Sequence, residues 1–359
     1  MSYPPLRAIG LMSGTSLDGV DAAWLETDGE TIARLGPAAT LHYQDDFRAE
    51  LRQLLERAPH LSADDPWLQK IVQRLTMDHA IAVGLLGLTA DVIGFHGQTI
   101  LHAPEKRRTW QIGDGKLLAK ISRTNVVYDF RSADIAAGGQ GAPLAPLFHA
   151  ALADKLEKPL LVVNIGGVAN LTYLGAEDQI LACDSGPGNG PLDDFAQKFL
   201  GQPYDKDGAF AASGRVGENR LRLLLAHPYF ALPLPKSLDR LTFSQLIARA
   251  TEDLRPEDAA ATLAAFCTEA IARVPLPAPP RRVLVCGGGR KNKALMAGLA
   301  ARFAVPVEPV EAVGWDGDAL EAQCFAYLAV RALRGLPLSL PGTTGVPAPT
   351  SGGVLASIA

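Results

Sequence analysis

Short apolar runs of strand length alternate along this chain with longer segments in which apolar residues recur every three or four positions. Ala8-Ile9 and Ala22-Ala-Trp-Leu25 flank a Gly/Ser/Thr turn, so residues 7–26 read as a hairpin, with a further strand at 38–43. Phe47, Leu51, Leu54 and Leu55 lie at helical spacing. Asp64-Asp65-Pro66 then supplies a cap and a first-turn proline for a long helix reaching Leu86. Asp91-Val-Ile-Gly-Phe95 has the continuous apolar character of a strand buried on both faces, ending at His96-Gly97-Gln98-Thr99. The first half is completed by a small hairpin at 110–114, a helix at 116–122 and a strand at 125–130. A glycine loop at 136–143 then opens a helix through Leu152.

The scheme repeats after Lys158-Pro159. Leu160-Leu-Val-Val163 and Leu171-Thr-Tyr-Leu174 flank a second small turn, and a strand at 179–183 ends in Asp184. Helices are expected at 191–200, 215–226, 244–253 and 257–274. The strand Arg282-Val-Leu-Val-Cys286 runs into Gly287-Gly288-Gly289, a helix starts from Asn292, a strand covers 305–310 and a last helix covers 318–334. Strands alternating with helices mean an α/β chain with mixed, mostly parallel sheets flanked by helices. The repeat divides it into domains at 1–157 and 158–359.

Composition narrows the class. The 359 residues are 48% hydrophobic and 20% charged, with a formal net charge of -4, so the chain is globular, with no basic surface for nucleic acid or membrane. Its longest apolar stretch, 80–89, is far too short to span a bilayer. Four scattered cysteines with no CxxC spacing read as buried thiols rather than a zinc site. Met1-Ser-Tyr-Pro-Pro5 is polar and leads straight into a strand, so a soluble, cytoplasmic protein is expected.

Glycine lets a backbone approach a ligand closely, and consecutive free N–H groups in a turn form a concave anion site. Gly10-Leu-Met-Ser-Gly-Thr-Ser-Leu-Asp-Gly-Val-Asp21 and Asn164-Ile-Gly-Gly-Val-Ala-Asn-Leu-Thr172 are one device used twice. An ordinary hairpin accounts for either alone; the repetition points to a nucleotide held between two related domains. In the first turn Asp18 and Asp21, with Ser13, Thr15 and Ser16, suit Mg²⁺ and phosphates, because magnesium takes few carboxylates and keeps its waters. Asp18 reads equally as a turn aspartate. Gly166, Gly167 and Asn170 belong to the second turn. Gly287, Gly288, Gly289 and Asn292 suit close approach to an adenosine, or simply a tight strand-to-helix turn. The full G-x-G-x-x-G of a dinucleotide site is missing there.

Asp184 is the carboxylate that stands out. Open α/β sheets bind ligands outside the carboxyl ends of their strands, and a carboxylate there can take a proton from a hydroxyl or a water. It can equally cap the next helix or fix the turn, and spacing does not separate these. His96, Gln98, Arg131, Asp134, Gln140 and Asn170 suit a hydroxyl-rich ligand such as a sugar, or else surface and capping roles. Glu321 faces either the site or solvent.

In these residues the chain resembles the anhydro-N-acetylmuramic acid kinase family. The matching runs include both turn motifs, Gly94-Phe-His-Gly-Gln-Thr99, Gln111-Ile-Gly-Asp114, Asp129-Phe-Arg131 and Gly138-Gly-Gln-Gly-Ala-Pro143. They continue with Asp184-Ser-Gly-Pro-Gly-Asn189, Pro235-Lys-Ser237, Cys286-Gly-Gly-Gly289 and Asp318-Ala-Leu-Glu-Ala322, in order along nearly the whole chain. The resemblance implies a duplicated, two-domain actin- and hexokinase-like (ribonuclease H-like) fold with ATP and sugar in the interdomain cleft. It implies MgATP as phosphoryl donor and 1,6-anhydro-N-acetylmuramic acid, a cell-wall fragment, as acceptor. An aspartate at the position of Asp184 would activate a water that opens the anhydro bridge, and the freed O6 would take the γ-phosphoryl group, giving N-acetylmuramic acid 6-phosphate and ADP. Gly14, Thr15, Ser16, Leu17, Asp18, Gly19, Val20 and Asp21 would carry the ATP phosphates, and Glu321 would help orient the sugar. A homodimer is implied as well.

Two segments depart from the family. The loop after Pro-Lys-Ser, Thr-Gly-Arg-Glu in the family, is Leu238-Asp239-Arg240-Leu241 here, and the end, Ser351-Gly-Gly-Val-Leu-Ala, is poorer than usual. Neither is expected to touch Asp184. The alternative functions are an amino-sugar kinase acting on a free hydroxyl and a nucleotide-gated structural ATPase.

Overall fold

Alternation of side chains across the strands decides how this chain layers. In a computed structural model, which describes residues 3–14, 16–239 and 242–358, the chain divides into two compact units. One comprises Met1–Asp154 with Ala319–Ala359 and the other Lys155–Asp318. The tail therefore returns to the first unit, which corrects the linear division at 157/158. That return is a long-range packing event with no local signal. Thr15, Arg240 and Leu241 lie outside the described residues.

The strands in chain order are β1 (Leu6–Ser13), β2 (Gly19–Thr27), β3 (Ile32–His42), β4 (Val92–Ala103), β5 (Arg108–Ile112) and β6 (Asn125–Tyr128). They continue with β7 (Leu160–Ile165), β8 (Val168–Leu174), β9 (Ile180–Pro187), β10 (Arg282–Cys286), β11 (Val307–Pro309) and β12 (Val354–Ala356). The first unit holds a sheet ordered β12-β6-β4-β1-β2-β3, with β5 on β4, and the second a sheet ordered β11-β10-β7-β8-β9. Within each, three consecutive strands form an antiparallel meander, and two later strands add in parallel on the far side of the first. β3-β2-β1-β4-β6 and β9-β8-β7-β10-β11 are thus one topology used twice, a duplicated mixed α/β fold. Parallel pairing is confined to half of each common core, because the third strand of each meander joins without a crossover.

In the first unit Ile9 and Leu11 face the core shared with Leu68, Ile71 and Leu75 of the helix Pro66–Leu85. Asp65 caps that helix, accepting from the N–H groups of Trp67 and Leu68. Gly10, on the other face, lies under the helix Leu320–Leu333. A Cβ there would fall 1.7 Å from the Ala322 carbonyl oxygen, and one on its register partner Gly94 would fall 2.0 Å from that of Phe325. The two glycines let the helix seat directly on the sheet, covering its second face. The departing tail still forms a strand, β12, antiparallel to β6.

In the second unit Leu161, Val163 and Ile165 share a core with Leu263, Phe266 and Cys267 of the helix Pro256–Ala272. All four cysteines are buried. Among the described residues, no helix is long and apolar enough to cross a membrane.

Candidate active site

The residues singled out from the sequence gather at one end of each sheet. In the first unit β1 and β2 are joined by a turn in which Leu17, at φ 56°, donates its N–H to the Gly14 carbonyl at 3.2 Å. Ser16 and Asp18 are exposed, and the Ser16 hydroxyl donates to Asp18 Oδ1 at 2.6 Å. Gly14 has no positive φ, and a Cβ on it would meet nothing nearer than Ser16 Oγ at 3.6 Å. Nothing in the fold requires glycine there. Gly19 differs, since its Cβ would lie 2.3 Å from the Leu41 carbonyl oxygen. Val20 is core, and Asp21 accepts from the Thr40 hydroxyl at 2.6 Å.

β4 does not end at His96-Gly97-Gln98-Thr99 but continues to Ala103, bending at Gly97 (φ 70°) to pair with β5. That bend orients two expected site residues. Gln98 is buried and accepts at Oε1 from the Ser13 hydroxyl, 2.6 Å away, while Ser13 Oγ also lies 2.8 Å from the Tyr43 hydroxyl. His96 has its Nδ1 2.8 Å from the Gly97 carbonyl, and its Nε2 faces the Arg131 Nε at 3.1 Å. Nδ1 therefore carries the proton and Nε2 accepts from the guanidinium. Burial, then the Arg131 charge, hold the imidazole well below its ordinary pKa, so it is neutral. Beside it lies a cavity of about 200 Å³ lined by His96, Gly97, Trp110, Tyr128, Asp129 and Ser132. Asp134 serves the fold: it accepts from the Gly141 N–H and the Thr344 hydroxyl, each at 2.5 Å. Glu321 is exposed in the first turn of its helix.

In the second unit the β7–β8 turn is tied to the segment after Asp184. Asn189 N–H donates to the Gly166 carbonyl at 2.7 Å, and the N–H groups of Gly188 and Gly190 donate to the Gly167 carbonyl at 3.1 and 3.3 Å. A Cβ on Gly188 would fall 2.1 Å from the Gly166 oxygen, whereas one on Gly166 would make only an ordinary 3.5 Å contact. The Gly287–Gly289 loop joins the same end of the sheet. Gly287, at φ 71°, abuts Asn164 Oδ1, and Gly289 abuts Ile165; Gly288 between them has room for a Cβ, 3.4 Å from Asn189 Nδ2. Asn292 Oδ1 caps the helix Lys293–Ala300, accepting from Ala294 and Leu295. Arg290 is held by Glu311 at 2.7 Å and Asp318 at 3.0 Å, which fixes the loop.

Asp184 lies inside β9 rather than at its end, buried, in register with Asn170, which is in register with Asn164. The three share one sheet face, opposite the helix Pro256–Ala272, because their neighbours Cys183, Leu171 and Val163 belong to the core beneath that helix. The next helix, Gly190–Leu200, starts six residues later with no side-chain cap, so Asp184 is no helix cap. Its Oδ2 accepts from the Leu238 N–H at 2.7 Å. The departing loop thus does touch Asp184, but through a backbone donor that survives any change of side chain other than to proline.

A family model described as anhydro-N-acetylmuramic acid kinase matches residues 6–357. The chain is 66% identical over 348 residues to the anhydro-N-acetylmuramic acid kinase of Acidiphilium cryptum, covering 97% of each chain. It is 53% identical to that of Gluconobacter oxydans, covering 96% of this chain and 98% of the relative. The chain belongs to the anhydro-N-acetylmuramic acid kinase family. It is accordingly a phosphotransferase. Among solved structures it is similar to a ROK family glucokinase from Streptomyces griseus, with a TM-score of 0.43 at 14% identity over 90% of this chain and 99% of that one.

Two residues beside Asp184 are not among the site residues singled out from the sequence, although Lys236 lies within the Pro235-Lys-Ser237 run. Tyr229 donates its hydroxyl to the Asp184 carbonyl at 2.6 Å, and the Lys236 carbonyl accepts from the Asp184 N–H at 2.9 Å. The available signal for Lys236 is its place as the one charge in the run Tyr229-Phe-Ala-Leu-Pro-Leu-Pro-Lys-Ser-Leu238. Tyr229 gives no such signal.

Proposed function

We propose that the protein phosphorylates 1,6-anhydro-N-acetylmuramic acid with MgATP, hydrolysing the anhydro bridge in the same cycle and releasing N-acetylmuramic acid 6-phosphate and ADP. The observation that carries this reading is Asp184, a buried carboxylate inside a strand, held by a backbone N–H and capping no helix. A group so held is oriented in advance for one proton transfer. An anhydro sugar has no free hydroxyl at O6, so its C1–O6 bond must open before O6 can be phosphorylated. Asp184 takes a proton from water as the water oxygen bonds to C1. The C1–O6 electron pair passes to O6, which attacks the γ-phosphorus and expels ADP; the proton on Asp184 returns to solvent. The phosphoryl step then rests on positioning and electrostatics.

Gly14, Gly166 and Gly288 support the ATP assignment, since each is a glycine that neither φ nor packing demands. Small residues there leave room for phosphate and nucleotide. Asp18, exposed beside Ser16, is the carboxylate for Mg²⁺. No group of three His, Cys, Asp or Glu side chains among the described residues could hold a metal ion, so phosphate oxygens and water would fill the remaining positions. Bound there, the ion would neutralise charge on the phosphates. Arg131, His96 and the adjoining cavity take the sugar, with Gln98 bracing the strand and Glu321 oriented to a sugar hydroxyl. A cytoplasmic homodimer completes the proposal.

Incubation with MgATP and a panel of amino sugars, with products identified by mass, tests it. The anhydro sugar should gain both water and phosphate. Phosphorylation of a free-hydroxyl amino sugar with the anhydro sugar untouched would replace this reading by an ordinary sugar kinase.

A further inference from the structure

β9 is an edge strand, so Asp184 has backbone groups that no neighbouring strand pairs on its outer side. The segment 229–238 takes that place. The Lys236 carbonyl accepts the Asp184 N–H at 2.9 Å, the Tyr229 hydroxyl donates to the Asp184 carbonyl at 2.6 Å, and the Leu238 N–H donates to Oδ2 at 2.7 Å. Both ends of the segment therefore close on one residue. Lys236 joins the ends to each other: its Nζ donates to the Tyr229 carbonyl at 2.9 Å and lies 4.4 Å from the centre of the Tyr229 ring. Tyr229 is 5% exposed and Lys236 7%, and a buried ammonium is costly where an apolar side chain would pack. Burial accordingly lowers the lysine pKa. Packing alone gives no reason for a lysine here; a tether across the loop does.

Resting on the reading of Asp184 as the base, we propose that Tyr229 and Lys236 are positioning residues that close the 229–238 segment over β9 and set the carboxylate of Asp184 toward the attacking water. Neither touches the reacting atoms. Their loss leaves ligand binding intact and slows the step that Asp184 performs.

The test compares Tyr229→Phe and Lys236→Met in the full chain, each alone and in an Asp184→Asn background, by single-turnover formation of phosphorylated sugar and by ATP and sugar binding. Each single variant should lose about 10- to 100-fold in kcat, as misplacement of a catalytic group does, with binding and melting temperature near wild type. In the Asp184→Asn background neither should cost anything further, because residues acting as one unit are not additive. Wild-type turnover by Tyr229→Phe, or its full loss repeated without the base, would overturn the proposal. If Lys236→Met fails to fold, Tyr229→Phe, which removes a single oxygen, decides alone. Near-normal turnover by Asp184→Asn itself would instead reject the base assignment, a separate outcome read from a separate variant.

Discussion

In the first unit the β1–β2 turn keeps room at its glycine: among the described residues a Cβ on Gly14 would meet nothing nearer than Ser16 Oγ at 3.6 Å, and Ser16 and Asp18 are exposed. In the second unit the equivalent β7–β8 turn is bonded through the Gly166 and Gly167 carbonyls to the N–H groups of residues 188–190. Two turns built from similar residues at equivalent points of one topology thus differ in what they are attached to. The first is tied to the segment after β3, where the Tyr43 N–H donates to the Asp18 carbonyl at 3.1 Å and Arg48 Nη2 to the Ser16 carbonyl at 3.4 Å. The second is coupled to the strand that carries Asp184, so a displacement of that turn is passed to the segment that follows Asp184. The units differ in titratable core as well. His79, His96, His102 and His149 all belong to the first unit, and burial depresses each, to about 4 for His79, His102 and His149. The second unit holds a single histidine, His227, and it is only half-buried.

Acid should break this symmetry most strongly. Above pH 6.5 folded and unfolded states both hold neutral imidazoles; between 6.5 and about 4 the unfolded state takes up protons that the folded first unit refuses. The loss is about 1.4 kcal/mol per pH unit for each fully shifted histidine. Hydrogen exchange followed by mass spectrometry from pH 7 to 4.5 should show the first unit opening before the second. Simultaneous opening, or the reverse order, would contradict it.

Gly188→Ala comes next. Its Cβ would meet the Gly166 oxygen at 2.1 Å, so the second turn and the Asp184 segment cannot both keep their places. A cost of about 2–4 kcal/mol is expected, with turnover falling beyond what the lost stability explains. An unchanged calorimetric melt would mean that the turn is not pinned as described. Gly14→Leu should do the opposite: the melt holds, while ATP affinity falls about tenfold, or about 1.4 kcal/mol. Gly166→Ala, tolerated by the fold, sharpens the contrast. A weaker but measurable loss of ATP affinity assigns phosphate contact to both turns; no loss confines it to the first.

Local chemistry carried most of what the sequence revealed. The cap at Asp65-Pro66, the hairpins and the glycine loops each have a signal within a few residues. What was hidden depended on distant partners. β4 reads as ending at the glycine because Gly97 breaks the apolar run, yet its positive φ turns the strand toward β5 instead. Gly10 reads as part of a phosphate turn, but the helix Leu320–Leu333, far along the chain, explains it. Asp184 was legible as a residue and its surroundings were not: the segment 229–238 reaches it from about fifty positions away, through the Tyr229 hydroxyl and the backbone of Lys236 and Leu238, none of which leaves a signal near Asp184 in the sequence.

The role of Asp184 itself is tested most directly by Asp184→Asn, assayed beside wild type in ¹⁸O-water. The exchange keeps size and removes basicity, so the rate should fall about 10²–10⁴-fold while ATP and sugar still bind. Wild-type product should carry the label on the anomeric oxygen and none in the new phosphate, with pre-formed product as the control for exchange. Label in the phosphate, or near-normal turnover by the variant, would contradict water attack directed by Asp184.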